Sequence, residues 1–163
     1  MAVYEDIENG IVSRLDSKKP DGYTIKPMPE KENEYDVGLT KVLILVMYSD
    51  SVFEPASSTD LMRQIETPSM MCNIKSPRLR GNLSIYQALD FLKLVLQGYA
   101  LPNLSKLWLD KIEFVERNVQ DNYWSYNISF KGKKVQQETP EELQESLLRQ
   151  VTFNNEYEAP QYY

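Results

Sequence analysis

Ser84-Ile85-Tyr86-Gln87 opens the stretch on which the fold turns, and Trp124-Ser125-Tyr126-Asn127-Ile128-Ser129-Phe130 closes it. The first four residues have the form of a capping box: Ser84 offers its hydroxyl to an orphan amide of the first helical turn, and Gln87 reaches back to the cap. Ile85, Leu89, Leu92, Leu96 and Tyr99 follow at spacings of three and four, and Phe91, Leu94 and Val95 widen the stripe, so a mostly buried helix is expected. Pro102 is its expected stop. Leu107, Leu109, Ile112, Phe114 and Val115 then indicate a strand whose apolar positions shift from odd to even, the mark of a bulge. After the turn Gln120-Asp121-Asn122, Trp124, Tyr126, Ile128 and Phe130 alternate with Ser125, Asn127 and Ser129, which describes a strand with one packed face and one polar face.

Outward from this unit, Val3, Ile7, Ile11 and Leu15, with Val12 beside them, predict an amphipathic N-terminal helix. Glu5, Asp6 and Glu8 sit where its dipole favours negative charge. Tyr23 to Met28 suits a short strand, and the acidic loop Glu30 to Asp36 should be exposed. Lys41 to Tyr48 encloses the unbroken run Val42-Leu43-Ile44-Leu45-Val46-Met47, expected to be a central strand covered on both faces. Ser49 to Pro68 reads as a long connection in which Leu61, Met62 and Ile65 form one helical turn, and Ser69 to Ile74 as a further strand. Thr139-Pro140-Glu141-Glu142 makes a second capping box, ahead of a short helix carrying Leu143, Leu147 and Val151 on one face. The expected architecture is α+β: a mainly antiparallel sheet of four to five strands with helices packed on it, over residues 1–137. A C-terminal helix and acidic, partly extended tail occupy 138–163.

A chain of 163 residues suffices for one domain with a real core. No run is long and apolar enough to span a bilayer, and Met1-Ala2-Val3-Tyr4-Glu5-Asp6 lacks the layout of a signal peptide, so neither membrane insertion nor export by that route is expected. Cys72 is the one cysteine, which leaves no internal disulfide and suits a reducing compartment. Of the net charge of −6, −5 falls between Glu138 and the end, where six acids meet only Arg149. A net acidic chain gains little from counterion release, so binding of nucleic acid through a basic surface is not expected.

Histidine is absent, which removes Ser-His-Asp and Cys-His catalysis, imidazole acid-base work at neutral pH and nearly every zinc site. No glycine-rich phosphate loop occurs, and no cofactor is expected. Paired carboxylates remain, Glu113 with Glu116 or the cluster Glu30, Glu32, Glu34, but both belong to expected solvent faces. Two basic groups stand out, Lys75-Arg78-Arg80 and Lys131-Lys133-Lys134; each either docks on an acidic partner surface or is an ordinary solvated turn.

The N-terminal helix, the strand running into Met47-Tyr48-Ser49-Asp50, the helix ending Leu96-Gln97-Gly98-Tyr99, the stretch Leu107 to Glu116 and the closing Trp124 to Phe130 together resemble the tail terminators, or tail completion proteins, of long-tailed phages. The likeness is to the Mu-like family of contractile tails, over about residues 1–135. The resemblance implies a non-enzymatic virion protein made in the host cytoplasm. Such a protein forms a homohexameric ring on the head-proximal end of the tail tube, ends polymerisation, and meets the tube protein, the sheath protein and the neck or head connector. DNA would only pass through the lumen, past Glu30, Glu32, Glu34 and Asp36 if these acids face it. Arg78, Arg80, Lys131, Lys133, Lys134, Leu143 and Leu147 are then interface candidates. Another neck or tube-capping connector, or a peptide-binding or inhibitor module, fits the same lack of reactive groups. Residues 138–163 depart from the shortest members of the family.

Overall fold

A computed structural model describes residues 2–31, 41–56, 62–137, 144 and 147–149. In chain order the elements are α1 (Val3–Lys18), β1 (Tyr23–Pro27), β2 (Val42–Phe53), β3 (Arg63–Ser76), α2 (Ile85–Leu96), β4 (Trp108–Asn118), β5 (Tyr123–Lys131) and β6 (Lys134–Gln137). The strands form one sheet in the order β1-β2-β3-β5-β4, with β6 also on β3. The class is α+β, as expected. The β3–β5 and β4–β5 pairs are antiparallel, whereas β1 runs parallel to β2, Tyr23 opposite Val42, so the sheet is mixed. Its sixth strand, Lys-Val-Gln-Gln, is too short and polar to announce itself by alternation.

By Cα proximity the chain divides into two units, Met1–Val52 with Glu66–Lys134, and Phe53–Ile65 with Val135–Tyr163. The first holds the core. Ile7, Ile11 and Leu15 of α1 and Ile85, Ala88, Leu89, Leu92, Val95 and Leu96 of α2 are buried with Val42, Ile44 and Val46 of β2, Met70, Cys72 and Ile74 of β3, and Ile128 and Phe130 of β5. Leu43 and Leu45 are buried as well, so the whole run Val42–Val46 is covered, as its unbroken apolar character predicted. The second unit is tied by amide N–H of Glu54 to the Ile65 carbonyl at 2.9 Å and by Gln64 Nε2 to the Glu54 carbonyl at 3.1 Å.

The cap of α2 forms, with one change from the expected pattern. Gln87 N–H donates to Ser84 Oγ at 3.2 Å, but Gln87 Oε1 accepts from the amide of Leu83 at 2.9 Å, one residue before the cap, and from the Tyr23 hydroxyl at 3.2 Å. The capping glutamine thus also binds the helix to β1. Leu94 lies in solvent, 83% exposed, because it sits about 200° around the helix from Leu92 and Leu96. The helix is ended by Gly98, at φ +82°, rather than by Pro102; the left-handed residue after Gln97 turns the chain so that Gly98 N–H meets the Leu107 carbonyl at 2.7 Å.

The segment from Ser49 to Pro68 is a correction. Instead of a long connection, β2 continues to Phe53 and β3 begins at Arg63; Ile65 is in a strand and Met62 is not helical, while Leu61 lies outside the described residues. Hydroxyls and carboxylates are poor strand formers in isolation, but pairing across a sheet outweighs propensity. The bulge in β4 is present, in two steps, between Leu109 and Lys111 and between Phe114 and Glu116. It keeps Leu109, Ile112 and Phe114 opposite Phe130, Ile128 and Tyr126.

Candidate functional site

Among the described residues no group of three His, Cys, Asp or Glu could hold a metal ion, and no helix is long and apolar enough to cross a membrane. Cys72 is fully buried, and burial pushes its thiol up to about 12, so it carries no thiolate at neutral pH. Glu113 and Glu116 stand on the exposed side of β4, with Glu113 paired to Lys111 at 3.0 Å. Glu30 is exposed; Glu32, Glu34 and Asp36 lie outside the described residues.

A cluster of polar and ionisable groups around buried Glu66 was not legible in the sequence. Glu66 of β3 is wholly buried, and its Oε2 accepts from the hydroxyls of Tyr4 and Ser51, each at 2.6 Å. Lys134 Nζ stands 3.8 Å from Oε1, which has no hydrogen-bond partner among the described residues. Tyr4 stacks on Tyr48, centroids 4.0 Å apart, and Tyr48 Oη lies 2.6 Å from Ser51 Oγ. The hydrogen bond to Glu66, then burial, raises the Tyr4 phenol well above its usual range. The cluster ties the first turn of α1 to β2 and β3.

Exposure points elsewhere. β4 is an edge strand of eleven residues, flanked only by β5 among the described strands. α1 packs on β1 and α2, α2 packs on β5, and Leu109 of β4 is packed against the core. Trp108, Ile112, Phe114 and Val115 are exposed, by 37 to 54%. In the sequence Ile112, Phe114 and Val115 read as apolar positions of a bulged strand, but an apolar pattern does not tell whether anything covers it; Trp108, opposite Lys131, lies on the other face from Ile112 and Phe114. An edge of this length, flanked only by β5 among the described strands and carrying large exposed apolar side chains, is a template for another strand or surface.

The opposite face of the sheet is polar. Asn73 donates to Ser125 Oγ at 2.9 Å and to Asn127 Oδ1 at 2.7 Å, and Lys75 Nζ donates to Asn73 Oδ1. Toward the β4 edge this face opens into a cleft of about 290 Å³ whose charged lining is Asp50, Asp110, Lys111, Glu113 and Lys131.

The two basic groups separate. Arg78 and Arg80 are exposed in the turn before α2, with Arg80 set over the Tyr86 ring at 5.8 Å. Lys131 pairs with Asp110 at 3.7 Å and Lys134 with buried Glu66, while Lys133 is exposed and its amide donates to Ser105 Oγ. Leu147 is exposed by 49%, and Leu143 lies outside the described residues.

Among solved structures the chain is similar to a chain of the virion of a native gene transfer agent particle. The identity is 12%, the coverage 83% of this chain and 92% of that one, and the TM-score 0.42. No curated protein matches it. The Gp37 protein family matches residues 11–156, nearly the whole chain, and the protein therefore belongs to the Gp37 protein family.

Proposed function

We propose that the chain is a structural virion component of a tailed phage or phage-like particle, acting by assembly rather than by catalysis. Its role in this reading is that of a tail terminator: a hexameric ring that caps the head-proximal end of the tube, ends growth of tube and sheath, and joins the tail to the neck. The observation that carries the reading is the long, uncovered β4 edge with Trp108, Ile112, Phe114 and Val115. A subunit whose two joining surfaces differ makes a head-to-tail contact, and such contacts close into a ring when the rotation per subunit allows. Membership of the Gp37 family and the resemblance of residues 1–135 to tail terminators support the assignment. In this reading residues 138–163 attach the ring to sheath or neck, and Glu30, with Glu32, Glu34 and Asp36, lends the lumen negative charge that keeps DNA from adhering.

The same edge also suits a second reading, capture of an extended peptide by strand addition. Sedimentation of the purified chain over a range of concentrations, followed by electron microscopy of the largest species, separates the two. Ring-shaped particles that Phe114→Glu abolishes support the terminator; a species that stays monomeric at the highest concentration, with or without tail tubes present, excludes it.

A further inference from the structure

The polar-face cleft carries a charge that its own ion pairs leave uncancelled. Lys111 is matched to Glu113 and Lys131 to Asp110, which leaves the third carboxylate, Asp50. Its Oδ1 accepts from the neighbouring Ser49 hydroxyl at 2.9 Å, and it forms no ion pair among the described residues. The field of these acids is felt at Lys111, whose ammonium is held above the ordinary lysine range by Glu113 first, with Asp110 and Asp50 adding to it. The cleft is thus an open concavity with surplus negative charge, beside the uncovered β4 edge.

The other end of the same strands carries the complementary charge. The sheet register sets Ser69, in the cleft wall, opposite Lys131 and so beside Trp108, while Ser76 lies opposite Trp124 and so beside Arg117. Seven strand residues separate the two positions, roughly 23 Å at the usual rise. Directly after Ser76 come Arg78 and Arg80, both exposed and neither in an ion pair among the described residues. Tyr86 holds Arg80 by its ring. An arginine side chain cannot cover that distance, so the two charges cannot meet within one subunit.

We infer that the cleft around Asp50 receives the Arg78–Arg80 turn of a second copy of this chain. This rests on the assembly reading above and gives its interface two unlike halves: the β4 edge and cleft on one subunit, the basic turn on the next. Paired charge at such a contact sets orientation and selects against head-to-head pairing, and it weakens with salt because the groups are exposed.

The test is a charge exchange in the full chain, read by sedimentation velocity. Asp50→Lys makes cleft and turn both positive; Arg78→Glu with Arg80→Glu makes both negative. Each variant alone should associate at least about tenfold more weakly than wild type. An equimolar mixture should regain wild-type association, because every junction then joins opposite charges. Circular dichroism melting establishes that each variant is folded. If wild type assembles and both variants assemble equally well, the inference falls, the assembly reading stands, and the cleft is left to another cationic partner. Variants that fail alone and are not rescued by mixing also overturn it. A wild-type chain that never associates overturns both readings.

Discussion

Removing the buried carboxylate of Glu66 is the sharpest test of how the first turn of α1 is held. The residue is 0% exposed, its carboxylate accepts from Tyr4 and Ser51 at 2.6 Å each, and it faces Lys134 at 3.8 Å. Glu66→Ala leaves two part-buried hydroxyls without their acceptor and a largely buried ammonium without its counter-charge, and it opens a cavity. Breaking a buried pair from one side costs about 3–5 kcal/mol, and each abandoned hydrogen-bonding group accounts for about 1–3 kcal/mol of such losses. For a domain of this size that is a fall in Tm of roughly 6–20 °C. Glu66→Gln keeps the shape and an acceptor oxygen for the hydroxyls but still leaves Lys134 without its counter-charge, so it should lose less than Glu66→Ala without matching wild type. Urea titration followed by circular dichroism measures both, and proteolysis near the N-terminus should accelerate in the alanine variant before global unfolding. A Glu66→Ala protein within about 1 kcal/mol of wild type would show that the hydroxyls and Lys134 find water instead, and that the cluster does not anchor α1.

Other expectations follow from the same geometry. Burial pushes the Tyr23 phenol up to about 12 from 10.0, and Tyr4 is raised further; a raised acid is more protonated in the folded than the unfolded chain, so stability should be intact below pH 10 and fall between pH 10 and about 12. Tyr23→Phe should flatten that decline in an alkaline melting series, and an unchanged slope would refute the assignment. Cys72, buried and with its thiol raised to about 12, should resist thiol reagents in the native chain and react at the rate of unfolding; rapid labelling in native buffer would contradict its burial. Gly98→Ala has open space for its methyl group but retains φ +82°, so it should cost about 1 kcal/mol through the backbone alone, measured as a shifted denaturation midpoint. Deletion of residues 138–163 should leave the melting of the core in place while weakening attachment to sheath or neck; tails completed as readily by the shortened chain would remove that segment from the interface.

What could be read along the chain was local. Ser84 marked the start of α2, the three-and-four spacing marked Ile85, Leu89, Leu92 and Leu96 as its buried face, the unbroken run Val42–Met47 marked a covered strand, and the strict alternation after Trp124 marked the two faces of β5, because each is a period or a cap written in consecutive residues. The lack of histidine and the solitary Cys72 likewise settled which chemistries were out of reach. Tertiary structure alone decided three things. It drew Ser49–Phe53 and Arg63–Pro68 into strands, since cross-strand pairing and not residue type supplies the energy there. It gathered Tyr4, Ser51 and Lys134 from three elements around the buried Glu66 of a fourth, a proximity that no spacing encodes. And it left Ile112, Phe114 and Val115 of β4 exposed: an apolar pattern marks residues fit for burial, but only the arrangement of the whole chain determines whether they meet its own elements or another molecule.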